Sequence, residues 1–481
     1  MDALAPAGRR LAKIRGVDPV NYFGIAHSLL FDHDFDLTNE FARIPPDARE
    51  WTQVQPSGLP GSPWGTGYST LEIPFLAAGT VLDHIAGNQA DGYGPFAILL
   101  YCFGSPVFVG LGLFALYGAL RNSADLLGLE EVTPGLALFI VGAVFLGTNV
   151  GYYSFSQISH ASTFLMASTF LACWLTARRG DNVKWWLFTG LAGGFLSVCR
   201  WQDILYLGGI LFYELANGNI LKKSASWWKS RMALVGGVIL CWIPQIAEWK
   251  IIYGKYITIP QGPGFLKFPP VSIPLVLLSS RNGWFTWTPL ALLGCAGLLI
   301  GVLKLPRRLG PWMLVLLLAV SVIGSMPLWH GVDSFSSRYL VSMVPIASLG
   351  LCRLVANSGG WTRSALVTTI VLCCAYSALF AIQFRFDLVP TNERLTVGEM
   401  VWDKFRLPSV RQRKAALAAG RQAIARGDLA GAITALEPAR RWGEDRQIER
   451  ELARAYRAMG NSGAASAADA TYERLQQSRL P

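Results

Sequence analysis

Charged residues are scarce. Asp, Glu, Lys and Arg make up 15% of the 481 residues, against about 25% in soluble domains. With 52% hydrophobic residues and a mean hydropathy of +0.36, the deficit excludes a wholly water-soluble chain and describes an integral membrane protein. Several catalytic patterns are also missing. The sequence holds no glycine-rich phosphate loop, no Cys/His metal pattern and no nucleophile elbow, which argues against a nucleotide-sugar donor on a Rossmann-like domain. Cys102, Cys173, Cys199, Cys241, Cys295, Cys352, Cys373 and Cys374 all fall within or beside apolar segments, without zinc-site or loop-disulfide spacing. They read as small packing residues. The formal net charge of +11 has no basic tract interleaved with stacking aromatics, so it is not a nucleic-acid footprint.

What is present is a run of apolar segments. A span needs about 20 mostly apolar residues, and ten segments qualify, at approximately 95–120, 133–149, 158–177, 184–199, 203–218, 232–250, 284–303, 310–329, 338–355 and 363–384. Many of the 17 Trp sit near segment ends, as interfacial belts require. Lys and Arg mark alternate loops: Arg121; Arg178, Arg179 and Lys184; Lys222, Lys223, Lys229 and Arg231; Lys304, Arg307 and Arg308; Arg353 and Arg363. The positive-inside rule makes those loops cytoplasmic. The loops at 149–158, 199–203, 250–284 and 329–338 then face outward, with the N-terminal 90 residues and everything after 385. The segment 68–86, with Glu72, Pro74, Asp83 and His84, reads as an amphipathic helix on the outer interface.

The predicted organisation is an all-α polytopic membrane protein in four parts. These are an N-terminal outer loop with an acidic motif (1–67), an interfacial helix (68–90), a transmembrane body (91–385) and an outward-facing linker with a small helical tail (386–481). Residues 1–17 contain no apolar run and form neither span nor signal peptide. An outward N-terminus needs translocation, so either a first span lies upstream of a mis-set start, the preferred expectation, or later helices carry the segment across. In the tail, ARGDLAGA (Ala425 to Ala432) and AMGNSGAA (Ala458 to Ala465) recur at a 33-residue offset, close to the 34-residue tetratricopeptide period. A plain helical hairpin fits equally well.

The polar constellations gather in the outward loops. From Asp18 to Glu40 the chain carries Asp18, Asp32, Asp34, Asp36 and Glu40 and not one Lys or Arg. A carboxylate there could act as general base toward an acceptor hydroxyl, and paired acids could hold a divalent cation. Helix capping and loop solvation are the plainer roles. Asp18 is the first choice, Asp32 and Asp34 support it, and Asp36 and Glu40 are expected to be structural. In GTNVGYYSFSQISH, His160 could donate to a phosphate, or be a satisfied structural histidine. In RWQD, Arg200 either pairs with Asp203 or grips a phosphate with its fork. Arg281 in SSRNGWFTWTP lies where lipid phosphate sits. WHGVDSFSSRYL packs His330, Asp333, Ser334 and Arg338 between two apolar helices, and Arg338 could clamp a phosphate leaving group.

Taken in order, SLLFDHDFDLTNEF, GTNVGYYSFSQISHA, GGFLSVCRWQD, SSRNGWFTWTPLALLG and WHGVDSFSSRYL resemble the successive motifs of the GT-C superfamily of integral-membrane glycosyltransferases. The branch is that of the bacterial protein mannosyltransferases and the lipid A aminoarabinose transferase. The resemblance covers roughly residues 15–385. It implies a transferase of the bacterial inner membrane, acting on its outer face. Such an enzyme takes a sugar from a polyprenyl-phosphate carrier and passes it to a lipid, glycan or protein. The family's first-loop acid falls on Asp18, where Pro19 replaces the Glu common in relatives. The lipid-phosphate set would be His160, Arg200, Arg281, His330, Asp333 and Arg338. A divalent cation is admitted without a defined ligand set, and the tail is expected to bind a protein partner or the acceptor. A polar-lipid transporter and an inactive membrane scaffold are the competing readings. A transporter would show mid-membrane charges and inverted repeats, whereas the charges here lie at span ends.

Overall fold

The structure is a computed structural model that describes residue 14 and residues 16–43, 53–155, 159–180, 182–218, 224–262, 264–390 and 393–477. The N-terminal stretch through residue 13, and Lys222 and Lys223 of one basic loop, lie outside the described residues. The all-helical expectation holds. The only β pairing among the described residues is an isolated bridge between Val54 and Pro60.

Each of the ten apolar segments is helical. Five helices are long and apolar enough to cross a membrane: Pro95–Arg121, Ala225–Tyr253, Pro306–Gly324, Arg338–Ala356 and Gly360–Arg385. Three more, Pro134–Gly147, Val183–Cys199 and Pro289–Lys304, are apolar but shorter. The remaining two depart from the expected span for different reasons. Leu205–Ala216 has only 12 residues. Ser159–Ala177 carries buried Ser159, Ser162, Thr163 and Ser168, of which Ser162 and Thr163 donate to the carbonyls of Ser159 and His160. Back-bonding of this kind lets hydroxyls sit in a helix interior.

The chain divides into two compact units. Unit 1 comprises Met1–Ile273, Leu290–Trp329 and Arg338–Cys374. Its basic loops meet at one end. Arg178 reaches Asp125 at 2.6 Å and the Tyr213 hydroxyl at 2.6 Å, Arg308 joins the same Asp125 at 3.5 Å, and Arg353 donates to the Leu127 carbonyl. From His160 to Arg178 the rise is about 27 Å at 1.5 Å per residue, close to the roughly 30 Å of a bilayer core. His160, at the start of Ser159–Ala177, therefore lies at the end of unit 1 opposite the basic loops. Two helices of this unit approach closely through small residues, as membrane interfaces favour. A Cβ on Gly190 would lie 2.1 Å from the Leu234 carbonyl oxygen, so the contact exists only because Gly190 has no side chain.

The N-terminal part of unit 1 is built on α1 (Val17–His27), which runs into a π-helical turn over Ser28–Asp32, followed by α2 (Thr38–Arg43) and α3 (Thr66–Ile85). Helix α3 is the segment read as an interfacial amphipathic helix. Its acids face inward: Glu72 and Asp83 are buried, while Val81, Leu82 and Ile85 are exposed. The cause is specific bonding. Glu72 accepts from the Tyr68 hydroxyl at 2.9 Å. Asp83 accepts from the backbone N–H of Phe96 and Ala97 at 3.2 and 2.8 Å, satisfying two of the orphan donors that open α4 (Pro95–Arg121).

Unit 2 comprises Pro274–Pro289, His330–Ser337 and Ala375–Pro481. Trp287 stacks on Phe380 at 4.2 Å, and Phe335 and Phe384 complete the aromatic cluster. The tail forms two helical hairpins, Leu407–Ala425 with Leu429–Leu436 and Arg446–Ala458 with Ser462–Gln477. They share a core of Leu417, Leu436, Ile448, Leu452 and Ala468. The 33-residue repeat lands on their turns. Gly427 and Gly460 have φ of +79° and +77°, a region glycine enters at little cost, and the next residues, Asp428 and Asn461, each bond a backbone N–H of the following helix.

Candidate active site

Four of the residues singled out in the sequence converge at the end of unit 1 opposite the basic loops. Asp18 lies in the first turn of α1, where the helix dipole favours a carboxylate. Arg200 follows the last turn of Val183–Cys199 in extended backbone. His160 is the second residue of Ser159–Ala177. Arg338 opens the 3-10 turn Arg338–Met343 that leads into the next helix. Short loops between long helices bring side chains distant in sequence to one place.

Arg338 Nη1 lies 2.9 Å from Asp18 Oδ2, and Trp64 Nε1 donates to Asp18 Oδ1 at 3.1 Å. Arg200 Nη2 donates to His160 Nδ1 at 2.7 Å. The same Nη2 lies 3.3 Å from Nε2; arginine has no acceptor, so one ring nitrogen must offer it a lone pair and the imidazole is neutral. Both guanidiniums sit against one ring: Arg200 is 5.1 Å and Arg338 5.2 Å from the centroid of Tyr339. Tyr153 packs on His160 at 4.6 Å. Tyr22, one turn along α1 from Asp18, is buried beside Arg200, Asp18 and Arg338, and burial holds its phenol above the ordinary range. Two guanidiniums, one carboxylate and a neutral imidazole leave a surplus positive charge, with Arg200 Nε buried and unbonded. Such an arrangement can receive an anion, with a carboxylate next to it to accept a proton.

Arg200 turns to His160, while Asp203 is buried and takes a bond from Ser342 Oγ at 2.7 Å. Ser342 in turn offers its carbonyl to the Tyr206 hydroxyl. This network fixes the turn after Arg200 against the helix that follows Arg338.

The other acids of the first loop are elsewhere in unit 1. Asp32 stands 14 residues beyond Asp18 on one continuous helical path, a separation of about 20 Å. Asp34 accepts from Ser28 Oγ at 3.0 Å and from Asp36 N, and Asp36 accepts from Thr38 N and Oγ. These are the loop-forming bonds of Asx turns. Asp32 instead joins His27 and Glu40, where one ligand-capable atom of each lies within 4.8 Å of the others. Burial raises the Glu40 carboxyl above its ordinary value, and the Asn39 amide, bonded at 3.0 Å, lowers that of Asp32. Among the described residues this is the group with the geometry to hold a metal ion.

Arg281, His330 and Asp333 belong to unit 2. The motif WHGVDSFSSRYL is thus divided, with His330 to Ser337 in unit 2 and Arg338 in unit 1. Burial lowers the Arg281 guanidinium, and Asp333 and Glu393 beside it oppose the shift. The neighbouring Asn282 holds the loop together: its amide donates to the carbonyls of His330 and Val332 at 2.7 and 3.0 Å.

Sequence reasoning missed Trp64, Tyr22, Tyr153 and Tyr339. Two signals were available. Tyr22 stands four residues after Asp18, on the same helix face, and Tyr339 directly follows Arg338.

Fold and site define a polytopic, all-helical membrane protein with an anion-receptive cluster at one end of its bundle. No family model and no curated protein matches the chain. Among solved structures it is similar to ArnT from Cupriavidus metallidurans in the apo state, at 12% identity and a TM-score of 0.47 over 92% of this chain and 72% of that one. It is similar also to the same protein bound to undecaprenyl phosphate, at 14% identity and a TM-score of 0.45 over the same shares. A third similar structure is the archaeal oligosaccharyltransferase AglB from Archaeoglobus fulgidus, in complex with an inhibitory peptide and a dolichol-phosphate. The identity there is 12% and the TM-score 0.45, over 79% of this chain and 54% of that one.

Proposed function

We propose that the protein is a glycosyltransferase that moves a hexose or pentose from a polyprenyl-phosphate carrier to a lipid, glycan or protein acceptor, at the outer face of a bacterial inner membrane. The observation that carries the proposal is the pair of guanidiniums, Arg200 and Arg338, converging on the Tyr339 ring, with the Asp18 carboxylate paired to Arg338. The ordered sequence motifs support it independently.

In the proposed step Asp18 accepts the proton of the acceptor hydroxyl as its oxygen bonds to the sugar's anomeric carbon. The bond from that carbon to the carrier phosphate breaks, and the phosphate leaves with the electron pair. Arg338 and Arg200 neutralise the departing charge, and neutral His160 orients Arg200. Both tasks, base and anion stabiliser, are what inverting transfer demands. Of the residues in unit 2, Arg281 already faces Asp333 and Glu393 and is the weaker proposed contact to lipid phosphate; His330, whose carbonyl accepts from the Asn282 amide, lies in the same unit. The helical tail is proposed to engage the acceptor or a protein partner.

The test is mass spectrometry of lipid-linked sugars and surface glycans in a deletion strain. Donor lipid should accumulate while one sugar disappears from an acceptor. The wild-type gene should restore it, while Asp18→Asn, inserted at normal level, should lower transfer by roughly 10²- to 10⁴-fold. Restoration by Asp18→Asn at the wild-type rate would remove Asp18 as base.

A further inference from the structure

The group formed by His27, Asp32 and Glu40 is built from α1, the π-helical turn and α2. Asp32 follows His27 by five residues, one π-turn, so the two side chains project to the same side. Turns of this kind are often found at functional sites. The imidazole is held between Phe31 at 4.6 Å and Tyr93 at 4.4 Å. Its Nε2 lies 2.9 Å from the Asp91 carbonyl oxygen. A carbonyl only accepts, so Nε2 carries the proton.

That assignment sets Nδ1. In the neutral ring it bears a lone pair, and it points at Glu40 Oε1 from 2.9 Å. A lone pair and a carboxylate this close need a positive centre between them, a shared proton or a metal ion. Glu40 is 1% exposed, and its second oxygen, Oε2, is buried without a hydrogen-bond partner. Asp32 brings another carboxylate to the same place. A ring nitrogen fixed by a bond from its other N–H to a backbone carbonyl is the usual support of a metal-ligating histidine.

We propose that His27 Nδ1, Glu40 and Asp32 bind a divalent transition-metal ion of the zinc or manganese kind. An ion about 2.0–2.2 Å from each atom would see His27 Nδ1 and Glu40 Oε1, 2.9 Å apart, at an angle of about 90°. One imidazole and two carboxylates suit these ions, and the exposure of Asp32 leaves remaining positions to water. The site stands nine residues from Asp18 along α1, about 13 Å, and serves as a staple: it ties the end of α1 to α2 and, through Asp91, to the segment before α4. It is independent of the transferase reading.

The full-length protein in detergent, stripped with a chelator, is titrated with Zn2+ and separately with Mn2+ by calorimetry. Wild type should bind one of the two ions saturably at one per chain. Asp32→Asn should weaken binding by about 10-fold or more, and His27→Gln or Glu40→Gln should remove it. Asp32 is exposed and bonded only at its surface, so its substitution decides the matter even if the buried variants fail to fold. No saturable binding to wild type would mean that a proton, not a metal ion, lies between His27 and Glu40, and binding unchanged in Asp32→Asn would place the ion elsewhere. Either result overturns the proposal.

Discussion

Arg338 holds Asp18 by an ion pair of 2.9 Å, 320 residues apart in sequence, while Trp64 occupies the other carboxylate oxygen at 3.1 Å. Asp18 therefore sits in a fixed orientation, and any anion that draws Arg338 toward itself loosens the carboxylate's strongest partner.

Replacing Arg338 tests that relationship. Arg338→Gln removes the proposed leaving-group clamp and leaves Asp18 with Trp64. In the proposed transfer reaction the rate should fall by roughly 10²- to 10³-fold, the scale of losing one preorganised electrostatic contact. Arg338→Lys should recover only part of it, because an ammonium cannot reproduce the planar fork. The measurement is sugar transfer in native membranes at matched protein level. Activity of Arg338→Gln within threefold of wild type would dismiss the role.

Asp83 carries a structural prediction. Asp83→Ala strips the cap from Phe96 N and Ala97 N and a partner from Asn88 Nδ2. The cost should be about 1–3 kcal/mol, the range for leaving buried donors unsatisfied. Asp83→Asn keeps one oxygen acceptor and should lose less. Thermal unfolding in detergent reads both, and an alanine variant that melts with wild type contradicts the capping account.

What could be read from sequence follows from which forces are periodic. Hydropathy and loop charge are one-dimensional, so the helical segments and the basic end of unit 1 were legible from the positions of Arg121, Arg178, Arg308 and Arg353. The gathering of Asp18, His160, Arg200 and Arg338 was legible for the same reason: alternate loops must share an end. Partner choice was not. Arg200 takes His160 rather than its sequence neighbour Asp203, because Ser342 reaches Asp203 from another helix. The inward turn of α3 was hidden too. Glu72 and Asp83 look like water-facing residues until Tyr68 and the open end of α4 supply their bonds. The π-helical turn over Ser28–Asp32, which brings Asp32 back beside His27, leaves no mark in hydropathy.

Lys404 in unit 2 gives a prediction about pH. It is 6% exposed. Its ammonium lies 3.6 Å from the Phe380 ring centroid and 4.5 Å from that of Tyr376. It bonds Gln383 Oε1 at 2.9 Å and the Met400 carbonyl. Burial lowers its pKa from 10.5 to about 7, with Asp403 opposing the shift. Below about pH 7 folded and unfolded chains both hold the proton, and this group contributes no pH dependence. Between about 7 and 10.5 the unfolded chain binds a proton that the folded one has released, so stability rises with pH, by up to about 1.4 kcal/mol per unit. Lys404→Met keeps the aliphatic stem and cannot ionise. Compared by thermal unfolding of the full chain, the variant should exceed wild type most near pH 6 and lose that advantage steadily toward about pH 9. A difference that stays constant across that range would show that Lys404 keeps its proton in the folded state.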